Sequence, residues 1–461
     1  MSKLARFGGP RTISENELRK GIGKWPEVTN KDIEAVVDVL RLEGELWGFL
    51  HPVVLDFQKK YKNYSKRKYC LAVSSGTVAL QLAVASLDIT AGSEIITPAL
   101  GYISSASCIL HQNCIPVFSD ISPDTFNIDP EKIEEKITEK TKAIVAVDLH
   151  GLPAPYKELQ SIAKRHNLFI IEDASQAQGA SYFGTPAGGL GDISAISIMP
   201  SKNLPSCGEG GILTTDNDHI RNNMLGFASH GMFVWEEEAK KKTRISRQLG
   251  FNCRPTPTSI AFASRQLSRL KKYKTMRKKR ADLFTSMVEN ISFIRTPFIP
   301  KGYEHGYQMY RLMVCPEALR LPSDWAPYLR DALVFLLRAE GVICDFWEEQ
   351  ILPEMPIFLN KIGYGNGCPW TCQGATEIDN SIYKEAKKVF ESSFFPFICR
   401  PTNSLNFVKL QAEGFLKVEK YKDDLVDLTE EIANEGGFAE WSGVSIRNTN
   451  AQGSLILIRD E

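Results

Sequence analysis

From about residue 68 to 216 the chain alternates short β-branched runs with amphipathic helical stretches. Few folds accommodate such an alternation. The strand-like runs are 68–73, 94–97, 116–119, 143–147, 168–172, 193–198 and 211–215, with helical periodicity over 77–87, 103–111 and 156–166. Helices between strands force each strand to return in the same direction. The pattern therefore predicts an α/β fold with a mainly parallel sheet, helices covering both faces. Sheets of this kind bind ligands beyond the carboxyl ends of their strands, so the residues just after each run carry the functional expectation.

Composition narrows the partners. With 55 Lys+Arg against 55 Asp+Glu, the 461-residue chain has no net field to attract polyanions, and neither a nucleic-acid nor a membrane partner is expected. A hydrophobic fraction of 43% with 24% charged residues supports large cores. The ten cysteines are spread along the chain, mostly in apolar segments such as Tyr69-Cys70-Leu71, as reduced core thiols are. The first residues carry no apolar leader stretch and no run approaches a membrane span, so a cytoplasmic protein is expected. The basic stretch 269–280 places Leu267, Leu270, Met276 and Leu283 at helical spacing, which predicts a helix packed on the main body.

Three strand ends carry chemistry. After the first run, Ser74-Ser75-Gly76-Thr77 leads straight into a helix, whose exposed N–H groups and dipole suit a phosphate. Asp173 ends the hydrophobic run Phe169-Ile170-Ile171-Glu172, where a carboxylate is costly without a cationic partner. Lys202 follows the next run in Met199-Pro200-Ser201-Lys202, ahead of the turn Gly208-Glu209-Gly210-Gly211. A phosphate cup, a strand-end acid and a post-strand lysine together suit pyridoxal 5′-phosphate (PLP). The acid keeps the pyridine nitrogen protonated, and the lysine forms the Schiff base.

The same residues resemble the DegT/DnrJ/EryC1/StrS sugar aminotransferases over about residues 20–275. The landmarks are Ser74-Ser75-Gly76-Thr77, Gly92-Ser93-Glu94-Ile95-Ile96-Thr97-Pro98, Glu172-Asp173-Ala174-Ser175-Gln176 and Ser201-Lys202-Asn203-Leu204. The details are most similar to the branch of ketocyclitol aminotransferases and aminohydroxybenzoate synthases. The resemblance implies an aspartate-aminotransferase-like large domain (1–275, with an N-terminal arm), a smaller α+β domain (276–432) and an extension (433–461). It also implies that Lys202 and Asp173 are catalytic, that Gln176 bonds the cofactor's phenolic oxygen and that Tyr102 stacks on its ring. Gly76, Thr77 and Ser197 would hold its phosphate. Gly250-Phe251-Asn252-Cys253-Arg254 resembles a loop whose Asn reaches the neighbouring subunit's phosphate, which implies a homodimer with shared sites. The implied reaction moves an amino group from glutamate or glutamine to a keto sugar, nucleotide-linked, or to a ketocyclitol. Another PLP reaction and a catalytically silent subunit stay open as alternatives.

Several positions depart from the family pattern: Gly101, Asp148-Leu149-His150-Gly151, Gln178 and Pro255-Thr256-Pro257. They are expected to border the pocket. Cys368 and Cys372 lack further ligands at suitable spacing, so a structural loop is expected in place of a metal site. His230 reads as a buried structural histidine or a loop cap, Cys207 as a packing residue, and the neighbours Glu348 and Glu349 as a solvated pair.

Overall fold

The expected runs pair into one sheet. A computed structural model describes residues 4–42, 48–232, 245–348, 350–371 and 383–435. In chain order the strands are β1 (Tyr69–Val73), β2 (Glu94–Pro98), β3 (Ile115–Ser119), β4 (Thr141–Val147) and β5 (Phe169–Asp173). Two short strands follow, β6 (Ser181–Tyr182) and β7 (Thr185–Pro186), then β8 (Ile193–Ser197) and β9 (Gly211–Thr215). The seven-stranded sheet runs β1-β9-β8-β5-β4-β2-β3. Within it β9 is antiparallel to both of its neighbours, and the other pairs are parallel. Strands β2, β3, β8 and β9 are buried at every position, as a sheet covered on both faces requires.

Register brings the chemistry together. Val147 at the end of β4 lies opposite Asp173 at the end of β5, and Asp173 lies opposite Ala195 of β8. Asp173, Val147 and Ser197 thereby share the carboxyl edge near the middle of the sheet. Alternation sends Glu172 to the other face. There its carboxylate is held by Gly188 N, Leu190 N, Gly191 N and Ser194 Oγ at 2.5–3.2 Å.

A second, four-stranded antiparallel sheet is built from β10 (Ile294–Arg295), β12 (Leu312–Val314), β13 (Cys344–Asp345) and β14 (Ser393–Pro396), in the order β10-β12-β14-β13. Between them β11 (Tyr303–Glu304) pairs with β6. Helices Ala326–Ala339, Leu405–Lys420 and Lys422–Asn434 contribute Leu329, Leu333, Phe407, Phe415 and Leu425 to its core. Leu4, Ile13 and Leu18, from the start of the chain, join that same core. The buried Glu340 anchors this arm by accepting from Ala5 N, Thr12 N and Lys417 Nζ at 2.7–2.9 Å.

Among the described residues no helix is long and apolar enough to cross a membrane. The charged segment 236–242, Glu349, Cys372 and the expected strand at 455–458 lie outside the described residues.

Candidate functional site

A cavity of about 620 Å³ opens at the carboxyl edge of the large sheet. Of the residues singled out in the sequence, Gly76, Thr77, Tyr102, Asp173, Gln176, Ser197 and Lys202 all line it. Asn252 does not: it is exposed and forms an isolated bridge with Ser229.

Each of these positions has a local cause. Ser75 caps the helix Gly76–Ala85, its Oγ accepting from Val78 N at 3.2 Å. The first N–H groups of that helix therefore have no intrahelical acceptor and face the cavity end. Gly76 must be glycine, because a Cβ there would lie 2.4 Å from Ser197 Cβ. Gly211 is required as well, since its Cβ would meet Ser75 O at 2.1 Å. The strand-to-helix turn and Ser197 are thus pressed together into one cup.

Asp173 is buried and oriented by two donors, Ser105 Oγ at 2.7 Å and Ser175 N at 3.1 Å. Gln176 accepts from the backbone N–H of His150 at 2.8 Å, which leaves its amide NH₂ without an acceptor among the described residues. Lys202 Nζ makes no hydrogen bond or ion pair with the described residues. Burial holds its ammonium below the ordinary lysine range against the pull of Asp173, Glu209 and Glu348. Tyr102 is 54% exposed at the cavity wall, a platform for a flat ring.

These groups fit PLP. The cup could offer N–H groups and a hydroxyl to its phosphate, Asp173 a carboxylate to its ring nitrogen and Gln176 a donor to its phenolic oxygen. Lys202 could offer an amine whose charged form burial disfavours.

Several site residues are not legible in the sequence. Trp25, Arg277, Trp347 and Arg400 line the cavity, brought there from four distant segments. Glu348 lines it too, which corrects its reading as half of a solvated pair. The helix Leu270–Val288 does pack on the body as expected, but its buried face includes Arg277 and Arg280. The departures from the family pattern do not border the cavity. Gly101, Asp148, His150, Gln178 and Pro255 line no part of it. Gln178 instead holds Ser175 O and Ser197 O, at 3.2 and 2.5 Å, and Pro257 opens the helix Pro257–Leu267.

His230 is exposed, which leaves the loop cap of its two readings: it occupies a left-handed turn (φ 55°) beside the Ser229–Asn252 bridge. Cys207, expected to pack, is exposed, with its Sγ 3.6 Å from Thr258 O. Near Cys368 the chain pairs with itself through an isolated Tyr364–Cys368 bridge.

Asp148 forms a buried acid pair with Glu172. Burial and the Glu172 carboxylate push its pKa well above the ordinary range, and its Oδ1 accepts from Ala154 N (2.8 Å) and Tyr156 OH (2.9 Å). The folded chain therefore keeps a proton that the unfolded chain releases near pH 4. Stability present in acid is lost as pH rises, by up to about 1.4 kcal/mol per pH unit. Asp148→Asn preserves the acceptor and removes the titration. Urea midpoints measured between pH 4.5 and 7.5 are expected to shift progressively in favour of the variant. A difference from wild type that does not vary with pH would show that Asp148 is ionised in the fold.

Comparison with known proteins agrees with this geometry. The chain is 33% identical to the GDP-perosamine synthase of Caulobacter vibrioides, covering 56% of this chain and 68% of that one. It is 30% identical to the L-glutamine:2-deoxy-scyllo-inosose aminotransferase of Streptomyces kanamyceticus, over 62% of this chain and 69% of that one. Among solved structures, an aminotransferase from Psychrobacter cryohalolentis superposes with a TM-score of 0.75 at 27% identity, covering 86% of this chain and 98% of that one. The signature of the DegT/DnrJ/EryC1/StrS aminotransferase family matches residues 26–378, more than half the chain. The chain therefore belongs to the DegT/DnrJ/EryC1/StrS family of sugar aminotransferases, PLP-dependent enzymes of the aspartate aminotransferase fold.

Proposed function

We propose that this enzyme moves an amino group from glutamate or glutamine to a keto sugar, nucleotide-linked, or to a ketocyclitol, within a biosynthetic pathway. The observation that carries the reading is the convergence of Lys202, Asp173 and the Gly76 cup in one cavity. When bound, PLP supplies an electron sink for the charge developing at the substrate carbon. Asp173, fixed by Ser105 and Ser175, keeps the pyridine nitrogen protonated. Lys202 Nζ, whose charged form burial disfavours, would take the proton from the donor's α-carbon and later return one to the acceptor carbon. Gly76, Thr77 and Ser197 would hold the phosphate, Gln176 would orient the phenolic oxygen and Tyr102 would stack on the ring.

The exposed Asn252 fits a role in the neighbouring subunit's phosphate site, in a cytoplasmic homodimer whose active sites are shared. The name of the Streptomyces kanamyceticus relative specifies L-glutamine and an inosose, which supports this donor class and the cyclitol alternative.

The test is spectroscopic. Purified protein incubated with PLP is expected to gain visible absorbance, which glutamate or glutamine then bleaches with release of a 2-oxo acid, identified by mass spectrometry. Absorbance that no amino donor changes would rule out amino transfer. Failure to take up PLP at all would overturn the whole reading.

A further inference from the structure

The cofactor-binding groups leave part of the cavity wall unexplained. Two guanidinium groups lie on it, Arg277 from the helix Leu270–Val288 and Arg400 from the segment after β14. Arg277 is 3% exposed. One of its N–H groups donates to Tyr307 O at 3.1 Å, and its guanidinium lies 5.0 Å from the centroid of the Trp25 ring. Its Nε is buried without a partner, and among the described residues no carboxylate lies within ion-pair distance. An arginine buried without a counter-ion is costly to the fold. Burial, with the nearby Arg400 and Arg280 cations, lowers its pKa to about 9, so it stays charged at neutral pH. A second cation on the same wall adds repulsion that a bound anion relieves.

The position of Arg277 is also tied to the reacting lysine. Trp25, which Arg277 covers, donates its indole N–H to Lys202 O at 3.1 Å and packs edge-on against Tyr273. A group seated on Arg277 is therefore held at a defined place relative to Lys202. The Gly76 cup provides for the cofactor's phosphate, which leaves Arg277, with its buried unpartnered Nε, for substrate.

We propose that Arg277 and Arg400 form a seat for an anionic oxygen group of the substrate, a carboxylate or a phosphate, that positions its reacting carbon at Lys202. The inference rests on the amino-transfer reading of this cavity. A carboxylate would come from the amino donor, a phosphate from the acceptor, and both match the paired N–H geometry of a guanidinium.

Calorimetric binding of 2-oxoglutarate and of glucose 6-phosphate, to the PLP-loaded protein and to the PLP-free protein, tests the seat. Wild type is expected to bind at least one probe. Arg277→Gln and Arg400→Gln are each expected to weaken that binding about tenfold or more, with PLP absorbance retained. Arg277→Lys, which keeps the charge, should recover part of the loss. The probe that weakens identifies the source: 2-oxoglutarate points to the donor carboxylate, glucose 6-phosphate to an acceptor phosphate. If Arg277→Gln does not fold, the half-buried Arg400 decides the matter. The proposal is overturned if wild type binds neither probe while taking up PLP, or if a folded variant binds both as wild type does. A wild type without PLP absorbance indicts the amino-transfer reading instead.

Discussion

Lys202→Ala is expected to lower amino transfer by about 10⁴-fold or more and to remove the visible absorbance of the PLP-loaded protein. Positioned proton transfer alone contributes about 10²–10⁴-fold, and on the proposed mechanism the same nitrogen is also the covalent anchor, so both contributions disappear together. The fold should not suffer. Lys202 Nζ makes no hydrogen bond with the described residues, and burial already disfavours its charged form. Truncation thus orphans no partner among them and relieves the burial of a polar amine, and the urea midpoint is expected to stay level or rise. Unchanged turnover in a folded Lys202→Ala protein would remove Lys202 from the mechanism.

Asp173→Asn is the second large effect. The substitution keeps the side chain's shape and an oxygen for Ser175 N, while the Ser105 hydroxyl can rotate to accept from the new amide. It cannot supply the negative charge that keeps a pyridine nitrogen protonated. Breaking a buried ion pair by neutralising one partner costs about 3–5 kcal/mol, or roughly two to four powers of ten in turnover. Uptake of PLP should persist more weakly, because the Gly76 cup and Lys202 remain. Kinetics with either amino donor check the first outcome, and equilibrium dialysis of PLP the second. A variant with wild-type turnover would mean that another group protonates the ring.

The two residues with the largest expected effects are both legible in the amino-acid sequence, for a local reason. Each follows a hydrophobic strand run, and in a parallel sheet the ends of those runs converge on one edge. The runs themselves are legible because a strand buried on both faces must be continuously apolar. Observed boundaries such as Ile115–Ser119 and Thr141–Val147 differ from the expected 116–119 and 143–147 by one or two residues.

Arg277 shows where this legibility stops. In sequence it sits within Lys274-Thr275-Met276-Arg277-Lys278-Lys279-Arg280, a basic stretch whose apolar neighbours predict a packed helix but single out no arginine as buried. In the fold Arg277 and Arg280 turn inward, because Tyr307 O and Asn403 O arrive from other parts of the chain to accept their N–H groups. Burial of a cation depends on partners far along the chain, which no local period records. The places of Glu348 and Arg400 on the cavity wall are hidden for the same reason.

The sequence by itself determined the alternating architecture, the PLP chemistry and the order of Thr77, Asp173 and Lys202 along it. These depend on short-range periodicity and on residue types that chemistry makes hard to replace. Only the tertiary structure decided which side chains share the cavity with them. Trp25, Trp347, Arg277 and Arg400 meet there through contacts between the large sheet, the second core and the N-terminal arm, and such contacts are a property of the packed chain alone.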